Sequence, residues 1–200
     1  MTIPNKIRAA ARILGFSAAL AGLGFVCWAV YELTYKDFTA IVAPVPDSGM
    51  TLVTRADQLG EGHFGAARAG GRRHQGLDLL APLESPVKAA KGGTVAYSGK
   101  SAKGMGEYIV IEHGKGVKTL YGHLDERFVE TGARVRQGDT IGAVGKTGNA
   151  KHSAIKPHLH FELVIDGTPV DPASQEWLAR LYTIERPPRP PANRQATGGR

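Results

Sequence analysis

The sequence predicts an all-β domain, a sandwich or barrel, carried behind one membrane-spanning helix and followed by a short helix and a disordered tail. Three observations predict it. Short apolar runs recur between turn signals from residue 86 to residue 165. The 26 glycines and 12 prolines among 200 residues are too many for a helical bundle and too few for a disordered chain. Ahead of them lie 19 consecutive uncharged residues, Ile13 to Tyr31, the length that crosses a hydrocarbon core of about 30 Å as a helix. The total length fits one ordinary domain with short additions rather than two domains.

The elements follow in chain order. Residues 1–12 form a basic N-terminus with Lys6, Arg8 and Arg12, whereas Glu32, Lys36 and Asp37 follow the apolar run. The positive-inside bias therefore places the N-terminus in the cytoplasm and the rest of the chain outside, on a single-pass anchor at 13–33. Trp28 and Tyr31 then mark the outer interface. A signal peptide cut after Ala19-Leu20-Ala21 would strand the apolar stretch GLGFVCWAV at the new terminus, so an uncleaved anchor is expected. Cys27 follows the bulky Phe25-Val26 pair, which disfavours lipid attachment. As the single cysteine it also excludes a disulfide framework and a cysteine-based zinc site.

Residues 34–49, with the Ala43-Pro44-Val45-Pro46-Asp47-Ser48-Gly49 punctuation, read as a linker, and the folded body is expected over 50–184. Its strands are expected at Pro86–Ala90, Gly93–Tyr97, Tyr108–Glu112, Lys118–Tyr121, Thr140–Val144 and His160–Ile165. Late in the chain Asp171 can cap a helix, Pro172 suits its first turn, and Trp177, Leu178 and Leu181 share one face. Residues 185–200, Pro- and Arg-rich with no apolar face, read as a disordered tail.

Charge excludes one class of function. The formal net charge is +7, but residues 48–184 hold only +3 of it, and no basic block there interleaves with aromatic residues. That argues against nucleic acid as a partner. No Gly-rich phosphate loop is present, so no nucleotide site is expected.

Histidine and aspartate carry the chemistry. His74 and Asp78 lie four residues apart around Gly76, and imidazole with carboxylate suits zinc. Alone that spacing is common. In Pro157-His158-Leu159-His160-Phe161-Glu162, polar and apolar residues alternate, so on a strand His158 and His160 share one face while Leu159 and Phe161 enter the core. His74, Asp78 and one strand histidine make three ligands and leave a position open for water, as catalytic zinc requires. The other strand histidine and His123 are then free for general-base and oxyanion duties.

At this point a resemblance is plain. The segments from Gly71 to Pro82, Pro86 to Ala90, Tyr108 to Gly114, Leu120 to Leu124, Gly145 to Gly148 and Pro157 to Glu162 follow in order the motifs of the lysostaphin/LytM-type zinc metallopeptidases. The match covers roughly residues 58–172. It implies an antiparallel β-sandwich or open-barrel, LytM-like catalytic domain. Zn2+ is held by the residues matching His74, Asp78 and His160, and His123 and His158 stand beside it as the catalytic pair. It also implies peptidoglycan peptides as substrate, either stem-peptide cross-links or glycine bridges, and leaves room for a regulatory protein partner. With the anchor, the expected address is the cytoplasmic (inner) membrane, catalytic domain facing the periplasm.

The chain departs from the family between Gly148 and Pro157, where Asn149 to Lys156 form a longer loop that is expected to shape one wall of the substrate groove. His152 in that loop, His63 and His113 are read as exposed or structural. Two rival functions use the same residues. A non-catalytic module that binds the wall or activates an amidase should lack one of the five residues, and all five are present. A non-haem iron facial triad needs two histidines and a carboxylate, but leaves His123, His158 and the extracytoplasmic address unexplained.

Overall fold

The computed structural model describes residues 22–26, 41–46, 51–101, 104–174 and 182–188. The chain divides into two compact units, Met1–Phe38 and Thr39–Arg200. In the first, residues 22–26 are helical, with Leu23, Phe25 and Val26 exposed. The remainder of the expected anchor at 13–33 lies outside the described residues, and no described helix is long and apolar enough to cross a membrane.

The second unit is built of strands: β1 (Thr51–Val53), β2 (Ala56–Asp57), β3 (Gly60–Glu61), β4 (Leu77–Leu80), β5 (Pro86–Lys88), β6 (Gly93–Lys100), β7 (Glu107–Glu112), β8 (Val117–Arg127), β9 (Arg134–Val135), β10 (Thr140–Val144), β11 (His158–Ile165), β12 (Thr168–Val170) and β13 (Thr183–Glu185). Nine of them join in one sheet, in the order β12-β11-β8-β7-β6-β9, with β4 on β11 and β10 bridging β5 and β8. Every pairing in that sheet is antiparallel.

Register explains why the sheet has one apolar and one functional face. β11 pairs with β4 so that Leu159 opposes Leu79 and Phe161 opposes Leu77. Its other edge pairs with β8, placing Phe161 opposite Tyr121. With a side-chain period of two, these residues go to the core, where Leu77, Leu79, Tyr121, Leu159 and Phe161 are all buried. The Tyr121 and Phe161 rings pack at 5.5 Å. The Tyr121 hydroxyl accepts from Ala90 N at 2.9 Å and from Thr119 Oγ1 at 2.9 Å, and burial pushes its pKa up to about 12. The same registers put His160 opposite Asp78 on one side and Gly122 on the other, so Asp78, His158, His160 and Glu162 share the opposite face.

Both ends of the body differ from expectation. Residues 41–45, expected within a linker, are part of the core: Ile41, Ala43 and Val45 are buried. Val42 N donates to Ala90 O at 3.0 Å, and Pro44 O accepts from Lys88 N at 2.9 Å. The reason is that Ile41, Ala43 and Val45 are apolar and the two backbone hydrogen bonds to Ala90 and Lys88 hold them against the core. At the other end Glu185, expected to begin the tail, is the last residue of β13, which pairs in parallel with β1. Asp171 does cap a turn: its Oδ1 accepts from Ala173 N at 2.9 Å, and Pro172–Ser174 form a short 3-10 turn. Trp177, Leu178 and Leu181 and residues 189–200 lie outside the described residues.

Candidate metal centre

Three elements converge on the functional face. β4 carries Asp78, the loop before it carries His74, and β11 carries His160. Their donor atoms form a nearly equilateral triangle. His74 Nε2 is 2.9 Å from Asp78 Oδ1 and 3.0 Å from His160 Nδ1, and His160 Nδ1 is 2.9 Å from Asp78 Oδ1. All three residues are buried. A tetrahedral zinc with bonds of about 2.0–2.1 Å spaces its ligand atoms roughly 3.3 Å apart, so the triangle needs only a few tenths of an ångström of expansion to fit a metal of that kind. Gly76 makes the approach of His74 to Asp78 workable, because a Cβ there would strike Phe161 O on β11.

The groups behind the triangle favour the same use. His74 Nδ1–H donates to His63 O at 2.8 Å and His160 Nε2–H donates to Glu162 Oε1 at 2.9 Å. Each contact fixes the ring's orientation and leaves the other nitrogen for the centre, as in carboxylate–histidine–metal sites. Asp78 points Oδ1 inward while Oδ2 accepts from Arg55 Nε at 3.2 Å, Arg55 Nη2 at 3.0 Å and Arg68 Nη2 at 3.1 Å. Arg55 is tied in turn to Asp57 at 2.7 Å. Burial opposes the Asp78 charge, but hydrogen bonds from His160 and His74 outweigh it and hold the carboxyl well below the usual range. Burial likewise opposes charge on His160, yet Asp78 and Glu162 push its pKa up to about 9. The pocket between the three donors is therefore built to hold positive charge, as a proton or as a cation.

His158 and His123 stand beside this triangle. His158 Nδ1–H donates to Lys156 O at 2.7 Å, and its Nε2 lies 3.8 Å from Asp78 Oδ1. His123 Nδ1–H donates to Thr147 O at 2.9 Å. Its ring is 5.1 Å from that of His158 and 5.7 Å from that of His160. Burial is the main cause that lowers both pKa values, His123 to about 3. Both rings are therefore neutral at pH 7, with Nδ1 occupied and Nε2 bare.

His123 owes its position to a change of partner along β8. Up to Gly122 the strand pairs with β11; from Leu124 it pairs with β10. His123, between the two, has φ +62, a left-handed conformation that costs a non-glycine residue about 1–2 kcal/mol. Its N–H leaves the ladder to donate to Met105 O at 2.8 Å. Strain of this sort persists where the surroundings over-determine it. Thr147 supplies much of that constraint, since its Oγ1 donates to Leu124 O at 2.7 Å and accepts from Glu107 N at 2.9 Å.

All five singled-out residues thus meet in one cleft of about 580 Å³, whose wall also includes Asn149, Ala150 and Ile155 from the long loop. His152 is exposed, its Nδ1 accepting from Ala154 N at 3.1 Å. His113 joins Gly92 O and Thr119 Oγ1, each at 2.8 Å, away from the cleft. His63 contributes its carbonyl to His74. Sequence reasoning missed Glu162, Arg55, Arg68 and Thr147. Glu162 had a usable signal, its place two residues beyond His160 on the same strand face; the arginines had none.

DD-carboxypeptidase/endopeptidase Mpg of Neisseria meningitidis is 42% identical over 103 residues, which are 52% of this chain and 23% of Mpg. The chain thus matches less than a quarter of that relative's length. The catalytic domain of the prophage-encoded M23 protein EnpA from Enterococcus faecalis superposes with a TM-score of 0.51 at 28% identity, over 68% of this chain and 99% of that one. A zinc-containing peptidase from Vibrio cholerae superposes with a TM-score of 0.50 at 32% identity, over 64% and 39% of the two chains. The profile of peptidase family M23 matches residues 72–172, a span that contains His74, Asp78, His123, His158 and His160, and the chain belongs to that family.

Proposed function

We propose that the chain is a zinc-dependent endopeptidase that hydrolyses peptide bonds in peptidoglycan, held by an uncleaved anchor at 13–33 on the extracytoplasmic side of the cytoplasmic membrane. The observation that carries the catalytic reading is the pair of bare Nε2 atoms, on His123 and His158, in the same cleft as the donor triangle. A structural metal site has no use for two neutral buried imidazoles beside it, whereas hydrolysis of an amide needs proton carriers there. The likeness to Mpg, a DD-carboxypeptidase/endopeptidase, supports the endopeptidase activity, and the likeness to the zinc-containing peptidase from Vibrio cholerae supports the metal. The anchor rests on the uncharged run from Ile13 to Tyr31 and the basic residues before it.

His74 Nε2, Asp78 Oδ1 and His160 Nδ1 would hold the zinc, which supplies a Lewis acid for the peptide carbonyl and for water. The histidine pair handles the protons. Each ring has Nδ1–H fixed by a carbonyl, so it takes up a proton only at Nε2 and can return it from there to the leaving amine. Once protonated, the same Nε2–H can donate to an oxygen that is gaining charge. Arg55 and Arg68 hold Asp78 Oδ2 and so keep Oδ1 aimed at the centre through these steps.

Mass analysis of muropeptides tests the reading. Purified walls are incubated with the zinc-loaded chain, with the chain plus chelator, and with the His158→Ala variant. Conversion of cross-linked dimers to monomers by the first alone is the expected result. Dimers left intact by a folded, zinc-loaded protein would instead favour a wall-binding or amidase-activating module.

A further inference from the structure

The cleft wall carries four arginines, Arg55, Arg68, Arg72 and Arg73, against two carboxylates, Asp78 and Glu162. Most of these charges are already engaged. Arg55 and Arg68 hold Asp78 Oδ2, and Glu162 holds His160. Arg72 and Arg73 differ. Both are exposed, and among the described residues their hydrogen-bond partners are backbone carbonyls: Arg72 Nε donates to Ala69 O at 3.2 Å and Arg73 Nη1 to Gly65 O at 3.2 Å. Among the described residues neither has a carboxylate partner. A guanidinium has five N–H donors, so each keeps most of its fork.

The loop that presents them is well defined. Arg68 N donates to Arg72 O at 3.0 Å, and Ala67 and Arg73 form an isolated bridge. Gly70 and Gly71, each with φ 72, make the turn between. Arg72 and Arg73 line the same cleft as His74, Asp78 and His160, so an anion they bind in it shares that cleft with the metal centre. Two exposed guanidinium forks in the wall of one cleft, neither paired with a described carboxylate, favour an anion with paired oxygens, and the surrounding positive field concentrates it there.

We propose that Arg72 and Arg73 form a carboxylate-recognition subsite, so that the preferred substrate is a peptide with a free carboxylate near the bond presented to the centre, not a neutral glycine chain. The proposal rests on the peptidase reading of the same cleft and narrows its substrate class.

The test uses the zinc-loaded full chain in detergent and three probes: a synthetic tetrapeptide with a free C-terminal carboxylate, its C-terminal amide, and pentaglycine amide. Affinity is measured for the wild type, for Arg72→Gln/Arg73→Gln and for Arg72→Lys/Arg73→Lys, at low and high salt, with hydrolysis followed in parallel. The wild type is expected to bind the acid about tenfold more tightly than either amide, a charge-assisted contact at an exposed site, with the advantage shrinking in salt. The Gln pair should abolish the preference while leaving amide binding unchanged, and the Lys pair should keep part of it. Equal affinity for acid and amide in the wild type would overturn the subsite, and this comparison needs no variant to fold. An acid preference that survives in the folded Gln pair would move recognition to the metal and overturn the proposal as well. Hydrolysis without carboxylate preference leaves the peptidase reading standing alone; carboxylate preference without hydrolysis of any peptide or wall leaves the subsite and removes the peptidase.

Discussion

His160 lies between two carboxylates, Asp78 at Nδ1 and Glu162 at Nε2, each at 2.9 Å, and that division of its ring separates ligand from support. Glu162→Ala leaves Nε2–H without its acceptor and frees the ring to change tautomer. Zinc affinity, measured by chelator competition, should fall about 10–100-fold; an unchanged affinity would show that Glu162 does not orient the ligand. The four histidines and the aspartate divide in the same way. His74→Ala, Asp78→Ala and His160→Ala should each lose bound zinc in metal analysis. His123→Ala and His158→Ala should keep it and lose turnover by about 10²–10⁴-fold, and metal loss in the last two would reverse the assignment. These residues were legible because a strand displays i and i+2 together and because the motifs are ordered along the chain. Arg55 and Arg68 were not, since only the fold brings guanidinium groups 23 and 10 residues distant in sequence to Asp78 Oδ2.

At the scale of elements, the strands with strong apolar runs were read closely. β10 has the expected bounds, and β7 begins one residue earlier. β4 was overlooked: four residues with an aspartate among them carry too little pattern, and what makes Leu77–Leu80 a strand is its ladder with β11. The length of β8 was also hidden, because its left-handed residue at His123 and its switch from β11 to β10 break the periodicity that a single partner would impose. The close packing of the loop before β4 on β11 yields a direct prediction. A methyl at Gly76 has no space beside Phe161 O, a backbone atom that cannot swing away. Gly76→Ala should destabilise the domain by about 1–3 kcal/mol, read as a lower midpoint in thermal unfolding, and should weaken zinc binding because His74 is displaced with the loop. A variant with wild-type stability and affinity would show that β11 yields more readily than its ladder suggests.

Across the second unit, the segments 41–45 and 182–185 close one core. Residues 41–45 run beneath Ala90 and Lys88, Ala43 N donates to the Tyr182 hydroxyl at 3.0 Å, and β13 returns to pair with β1. Proline and glycine near 43–49 signalled a linker, and the described part, residues 43–46, is neither helix nor strand, but such punctuation is silent on whether the intervening side chains find a core. Ile41 settles the difference experimentally. It is 1% exposed within the cluster that includes Leu52, Leu79 and Val87, so Ile41→Ala removes buried methyl groups from a packed site and should cost about 2–5 kcal/mol. In a true linker the same change would alter almost nothing, since surface substitutions stay within about 0.5 kcal/mol. Denaturant unfolding of the full chain distinguishes the two: a lower midpoint with an unchanged slope places Ile41 in the core. An unchanged midpoint would return the segment to the linker and start the folded body near residue 50. The centre should be less affected than the stability, because Ile41 belongs to the apolar side of the sheet while His74, Asp78 and His160 occupy the other; zinc affinity of the folded Ile41→Ala protein should stay within a few-fold of wild type.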